Sequence, residues 1–209
     1  QGLPPNHHRL AETFVTLDNF YANGEISVLG HSFTTSGYAS PFLEWLGNMR
    51  YSDRYNGYPF GIVPATFSPA YLWNALEAKG VDYRIYGEPY YLFPRAYQIV
   101  VAACGADSEL AKKFYAQSMV LAAQNDRGKE LSELFNAYYG KADTPADALR
   151  LLETPQFSTN LSKILTGDGS LAQAWRQNPT LRQQFATFLS HYPFNYHYYD
   201  LGYSDLRRF

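Results

Sequence analysis

Ser32 is the residue whose neighbours best suit it to covalent chemistry. It follows Gly30-His31 and precedes Phe33-Thr34-Thr35. From Phe33 to Leu46 the apolar residues Phe33, Tyr38, Phe42, Trp45 and Leu46 approximate a helical face, so Ser32 is expected at a helix N-terminus. Open amides and the positive dipole end favour an anion there and lower the cost of an alkoxide. His31 brings an imidazole alongside, and Asp18 and Glu25 fall in the same loop system. The plainer alternative is that Ser32 is an N-cap and His31 a structural hydrogen-bonder. Spacing alone favours that alternative. The chain has no phosphate-cradling glycine loop, no His-Glu-x-x-His zinc motif and no Gly-x-Ser-x-Gly elbow.

The elements that must position Ser32 divide near residue 95. Residues 1–95 are rich in Gly, Pro and short apolar runs, while residues 96–209 read as successive helices. In the first part, Asn6 to Thr13 looks like a helix end, and Phe14-Val15-Thr16-Leu17 has the content of a short buried strand. Residues 20–31 read as loop, and Pro41 is expected to kink or divide the following helix. Residues 47–67 form an aromatic-studded loop with Tyr51, Tyr55, Tyr58 and Phe60. Ser68-Pro69 starts a helix with a Tyr71, Leu72, Ala75, Leu76 stripe, closed by Lys79-Gly80. Val81 to Gly87 alternates as a strand does, so the order predicts an α/β fold with a parallel sheet.

The second part carries clear helix starts. Asp107 or Ser108 opens one helix running toward Gln124, and Leu131, Leu134, Phe135 and Tyr138 share the face of another. Thr144-Pro145-Ala146-Asp147 is a cap, a proline and an acid in sequence, and Asn178-Pro179 begins a last helix with Leu181, Phe185, Phe188 and Leu189. This half shows no cluster that demands chemistry. It reads as a helical insertion or cap.

Composition narrows the function classes. The 209 residues carry 17 Lys+Arg against 19 Asp+Glu, a net charge of −2, which argues against bulk electrostatic binding to nucleic acid or an anionic membrane. Charged and aromatic residues are each 17%, the profile of a globular chain able to bury a core. Cys104 is the single cysteine, so no intrachain disulfide forms and a cysteine-rich zinc site is excluded. No apolar run reaches the ~18 residues of a spanning helix. The chain opens at Gln1, which raises the expectation of a processed chain or a piece of a longer one.

Several runs together carry a family resemblance. They are Pro5-Asn6-His7-His8-Arg9-Leu10-Ala11, Phe14-Val15-Thr16-Leu17-Asp18-Asn19-Phe20-Tyr21, Gly24-Glu25-Ile26-Ser27 and Gly30-His31-Ser32-Phe33-Thr34-Thr35. With Tyr71-Leu72-Trp73 and the run from Val81 to Glu88, the chain resembles the phosphoesterase family of the alkaline phosphatase superfamily over residues 4–89. That family includes bacterial phospholipase C and certain acid phosphatases. Phe33 stands where the family usually has Trp, and the helical half matches only weakly.

The resemblance implies an alkaline-phosphatase-like α/β/α sandwich, represented here in part and followed by a mainly helical insertion. It implies phosphate-ester hydrolysis through a phosphorylated serine that also ligates a divalent metal. By motif position that serine is Ser32, with His31 beside it, and Thr34 and Thr35 toward substrate. A metal would lower the hydroxyl pKa and screen the phosphate, while the helix N-terminus takes its oxygens. The family's other metal-ligand motifs have no convincing counterpart here. His191, His197, Asp200 and Asp205 do not give a closed set and read as structural or surface residues. The divalent ions are therefore expected to be incompletely ligated by this chain, with missing segments of a parent chain or a partner subunit supplying the rest. The chain alone is then expected to bind metal poorly and turn over slowly. The family resemblance also favours an extracytoplasmic location.

Two other readings stay open. The aromatic loop 51–60 and the cluster Tyr192, Tyr196, Tyr198 and Tyr199 suit a non-catalytic binding or structural module, since flat amphipathic rings stack on sugars or pack in interfaces. Alternatively the chain is an incomplete fold whose two strands need pairing partners from elsewhere.

Overall fold

The computed structural model describes residues 5–24, 26–45, 70–86, 92–123, 127–138 and 140–192. These residues are mainly helical and contain no strand, so the expected α/β sandwich is overturned. The helices are α1 (Pro5–Thr13), α2 (Ser27–Ser36), α3 (Leu72–Ala78), α4 (Leu92–Cys104) and α5 (Glu109–Ala123). They continue as α6 (Arg127–Ala137), α7 (Pro145–Glu153), α8 (Pro155–Thr166), α9 (Ser170–Gln177) and α10 (Pro179–Ser190).

Both expected strands fail for want of a pairing partner. Residues 15–17 have no regular structure and are exposed, with Val15 89% accessible, and they meet no neighbouring strand among the described residues. Residues 81–86 also have no regular structure. Their anchor is the end of α10, where the Ile85 amide donates to the His191 carbonyl at 2.8 Å. Their alternation is satisfied on helices, because Tyr83 and Ile85 pack against buried Tyr71 and Trp73. An alternating run needs only one apolar surface beneath it, and here that surface is helical.

Local signals explain where the helices start and stop. Thr144 Oγ1 accepts from the Asp147 amide at 3.2 Å, Asn178 Oδ1 from Leu181 at 3.0 Å, and Ser108 Oγ from Ala111 at 3.2 Å. Each side-chain oxygen satisfies an amide that has no partner in the first turn. Pro145 and Pro179 then fill first-turn positions where the missing N–H costs nothing. Pro41 acts in the same way. It opens the helical residues 41–45 after Ser40, whose Oγ accepts from Leu43 at 3.1 Å. The helical face expected from 33 onward is divided, as Pro41 suggested, with the break running from Gly37, which takes the left-handed φ of 64° that glycine permits. Gly80 closes α3 at φ 64°, and the Val81 amide reaches back to Leu76 O at 2.9 Å. The expected Ser68-Pro69 start of that helix lies outside the described residues. Leu72 and Ala75 of its expected stripe are exposed, and Trp73 is buried instead.

The main core joins α4 to α10. Phe114, Phe157, Leu165, Leu171, Leu181 and Phe185 are fully buried in one cluster with Trp175 and Tyr192. A smaller, separate cluster holds Ile26, Leu29, Ala39 and Leu43, with Phe33 against it. Tyr192 is a core residue in edge contact with Phe188 at 5.2 Å, so it does not contribute to the aromatic surface of the alternative reading. Its hydrophobic ring fills the space beneath α10, which gains more than exposure would.

A surface ion pair fastens α5 to the α8–α9 turn. Lys113 Nζ lies 2.8 Å from Asp168 Oδ2, and the Ser170 amide donates to Asp168 Oδ1 at 2.9 Å. The Lys113 hydrogen bond, followed by the contacts with Ser170, holds the Asp168 carboxyl well below the usual carboxylate range. A depressed carboxylate stabilises the fold above its unfolded pKa, and this is lost as pH falls through the folded value. Stability is therefore expected to drop below about pH 4. Asp168→Asn is expected to flatten the acid limb modestly, because the side chain is 47% exposed and solvent screens it. Urea midpoints measured across acid pH check this, and an unchanged limb in the variant contradicts it.

Candidate functional site

The motif residues lie on α2 and the turn before it. The chain leaves the exposed run through Phe20 and Tyr21, turns at Asn23-Gly24, and enters the helix at Ser27 after an extended Ile26 (φ −129°, ψ 151°). A Cβ on Gly24 would lie 2.4 Å from Leu29 Cβ, so glycine is what lets the turn press against the first helical turn. Leu29 and Ile26 are buried and fix the helix to its small core.

This start corrects the expected position of Ser32. The helix opens five residues earlier, so Ser32 sits in its interior. The amides of Leu29 and Gly30 already donate to Ile26 O, at 3.0 and 3.3 Å. The open amides of a helix belong to its first turn, so the anion-favouring end of α2 is at Ser27 and Val28. Five residues of rise place Ser32 about 7.5 Å along the axis from that end. The serine in the first helical position is Ser27. The sequence signal for it was the Asn23-Gly24 turn, which places a helix start just beyond.

The other expected site residues follow the same helix. Ser32 is half-buried, and its Oγ makes no hydrogen bond among the described residues. His31 is exposed. The two are consecutive on an α-helix, where neighbours point about 100° apart, so the helix does not pair them as base and nucleophile. Thr34 Oγ1 donates to Gly30 O and Thr35 Oγ1 to His31 O, each at 2.7 Å. Ser36 Oγ does the same to Ser32 O at 2.7 Å. These hydroxyl protons are committed to the helix backbone, which leaves Thr34 and Thr35 with acceptor lone pairs only.

The described residues do not fit a metal centre. No group of three or more His, Cys, Asp or Glu side chains comes together among them. Asp18 is exposed on the loop, and Glu25 lies outside the described residues, as do His197, Asp200 and Asp205. The aromatic loop 51–60 and Tyr196, Tyr198 and Tyr199 also lie outside them. His191 is structural, as expected. Its ring stacks on Tyr83 at 4.0 Å, and Nδ1 lies 3.0 Å from Tyr83 O.

A polar cluster that sequence reasoning missed surrounds Tyr83. Its hydroxyl donates to Glu77 Oε1 at 2.7 Å, and the Arg95 guanidinium grips both oxygens of Glu77. Burial, and then the Glu77 carboxylate, push the Tyr83 phenol far above its usual pKa. No spacing rule links residues on α3, the 81–86 run, α4 and the end of α10, so only the fold reveals this cluster.

No helix among the described residues is long and apolar enough to cross a membrane. No family model matches this chain, and neither a curated protein nor a solved structure matches it.

Proposed function

We propose that this chain takes part in the hydrolysis of phosphate esters through a serine on α2, as its resemblance to the phosphoesterase family implies. One observation carries the reading. The chain turns at Asn23-Gly24 and then enters a helix that opens at Ser27 and carries five Ser or Thr residues. The first-turn amides of a helix that opens at a serine are open, and open amides stabilise a phosphoryl group. The physical requirement selects Ser27, in the first helical position, while motif position selects Ser32. Divalent metal ions belong to this reading, with ligands outside the described residues, and the substrate is a phosphate monoester or diester.

The decisive comparison is Ser27→Ala against Ser32→Ala, assayed on p-nitrophenyl phosphate and bis-p-nitrophenyl phosphate with added magnesium, manganese, calcium or zinc. Ser27→Ala is expected to lower turnover by at least ~1,000-fold, as loss of a nucleophile does, and Ser32→Ala by far less. The reverse order returns the role to Ser32. Full activity in the double variant removes α2 from the chemistry altogether.

A further inference from the structure

The polar cluster at Tyr83 opens onto a cleft of about 490 Å³ between residues 80–83, Arg95 of α4 and one face of α10. That volume lies in the range of small-molecule sites. Its one guanidinium is already matched by a carboxylate. Glu77 is bound by Arg95 and by the Tyr83 hydroxyl, and Asp82 stands 91% exposed at the lip. His191 Nδ1 faces a carbonyl, which only accepts, so that nitrogen carries the proton. An anion would find no unmatched positive charge in such a cleft.

The uncommitted groups that α10 presents are neutral. Gln183, Gln184 and Thr187 line the cleft from α10 at i, i+1 and i+4. All are exposed, and their side chains make no hydrogen bond among the described residues. A carboxamide offers both donors and acceptors, and a hydroxyl offers one donor with acceptor lone pairs. This complements adjacent hydroxyls on a ring, each of which also donates and accepts. Val81, half exposed, and the Tyr83 ring add apolar surface opposite.

We propose that this cleft binds a neutral polyhydroxylated ring of monosaccharide size, held by the carboxamides of Gln183 and Gln184 and the Thr187 hydroxyl. The site is separate from α2, so replacing Ser27 or Ser32 leaves it unchanged.

Saturation-transfer difference NMR on the full chain tests it with three probes: glucose, N-acetylglucosamine and inorganic phosphate. Saturation is expected to reach the ring protons of at least one sugar. Phosphate is expected not to displace the sugar, whether or not it binds at α2. The double variant Gln183→Ala/Gln184→Ala is expected to keep its helical circular dichroism and to bind about tenfold more weakly, a loss of about 1.4 kcal/mol. Absence of transfer to either sugar at millimolar concentration overturns the proposal. So does equal binding by the variant, or competition by phosphate, which marks an anion site.

Discussion

Replacing Trp175 with alanine is expected to lower the unfolding free energy by about 3–5 kcal/mol. The indole is 1% exposed on α9 and meets Phe185 of α10 edge-on, with ring centroids 5.1 Å apart. Both rings belong to the cluster that joins α4 to α10. Truncation removes the transfer gain of the largest side chain there and leaves a cavity that neighbouring helices cannot close fully. Set against the ~5–15 kcal/mol of a typical domain, such a loss leaves little margin. Trp175→Phe is expected to cost much less. The indole Nε1 is buried without a hydrogen-bond partner among the described residues, and phenylalanine removes that unsatisfied donor while keeping an aromatic ring. Urea unfolding followed by circular dichroism ranks the two. Equal losses contradict the packing account.

Ser162→Ala is expected to cost about 2–4 kcal/mol, more than its size suggests. Ser162 is fully buried on α8. Its Oγ accepts from the amides of Leu171 and Ala172, both at 3.1 Å, and donates to Asp168 O at 2.7 Å. One hydroxyl therefore satisfies two open amides in the first turn of α9 and ties that turn to α8. Alanine leaves both amides buried without it, and an unmade buried bond costs more than a made one contributes. Ser190→Ala is the control. That hydroxyl donates only to Thr187 O in its own helix, at 2.7 Å, so its loss is expected to stay below about 1 kcal/mol. If the two serines cost the same, Ser162 is not the link between α8 and α9.

The sequence made the helical half legible because its signals are local. Thr144-Pro145 and Asn178-Pro179 each mark a cap oxygen and a proline, and both helices begin there. Leu131, Leu134 and Phe135 are buried as their spacing predicts. Thr154-Pro155 has the same sequence form and opens α8, although the Thr154 hydroxyl donates back to Arg150 O rather than capping the helix. α4 was harder, because Leu92 to Cys104 is apolar on most sides and begins with no capping serine or threonine.

The first half is hard to read from sequence for a physical reason. Short apolar runs such as Phe14 to Leu17 do not distinguish a buried strand from an extended segment, since the difference lies in a distant pairing partner. The same limit moved the site. Ser32 gained its expected helix start from apolar residues after it, while Ser27 to His31 was assigned to loop. Gly30 encouraged that, yet glycine is tolerated inside a helix at a cost of about 1 kcal/mol, and α2 runs through it.

Chemical trapping tests the central claim most directly. The chain is mixed with a phosphate ester and a divalent metal, quenched in acid, and its peptides are mapped by mass spectrometry. A single turnover suffices, so slow overall hydrolysis does not hide the intermediate. The account predicts phosphoserine at the first helical position, Ser27. Phosphate on a residue outside α2, or no covalent phosphate with any of the four metals, contradicts it.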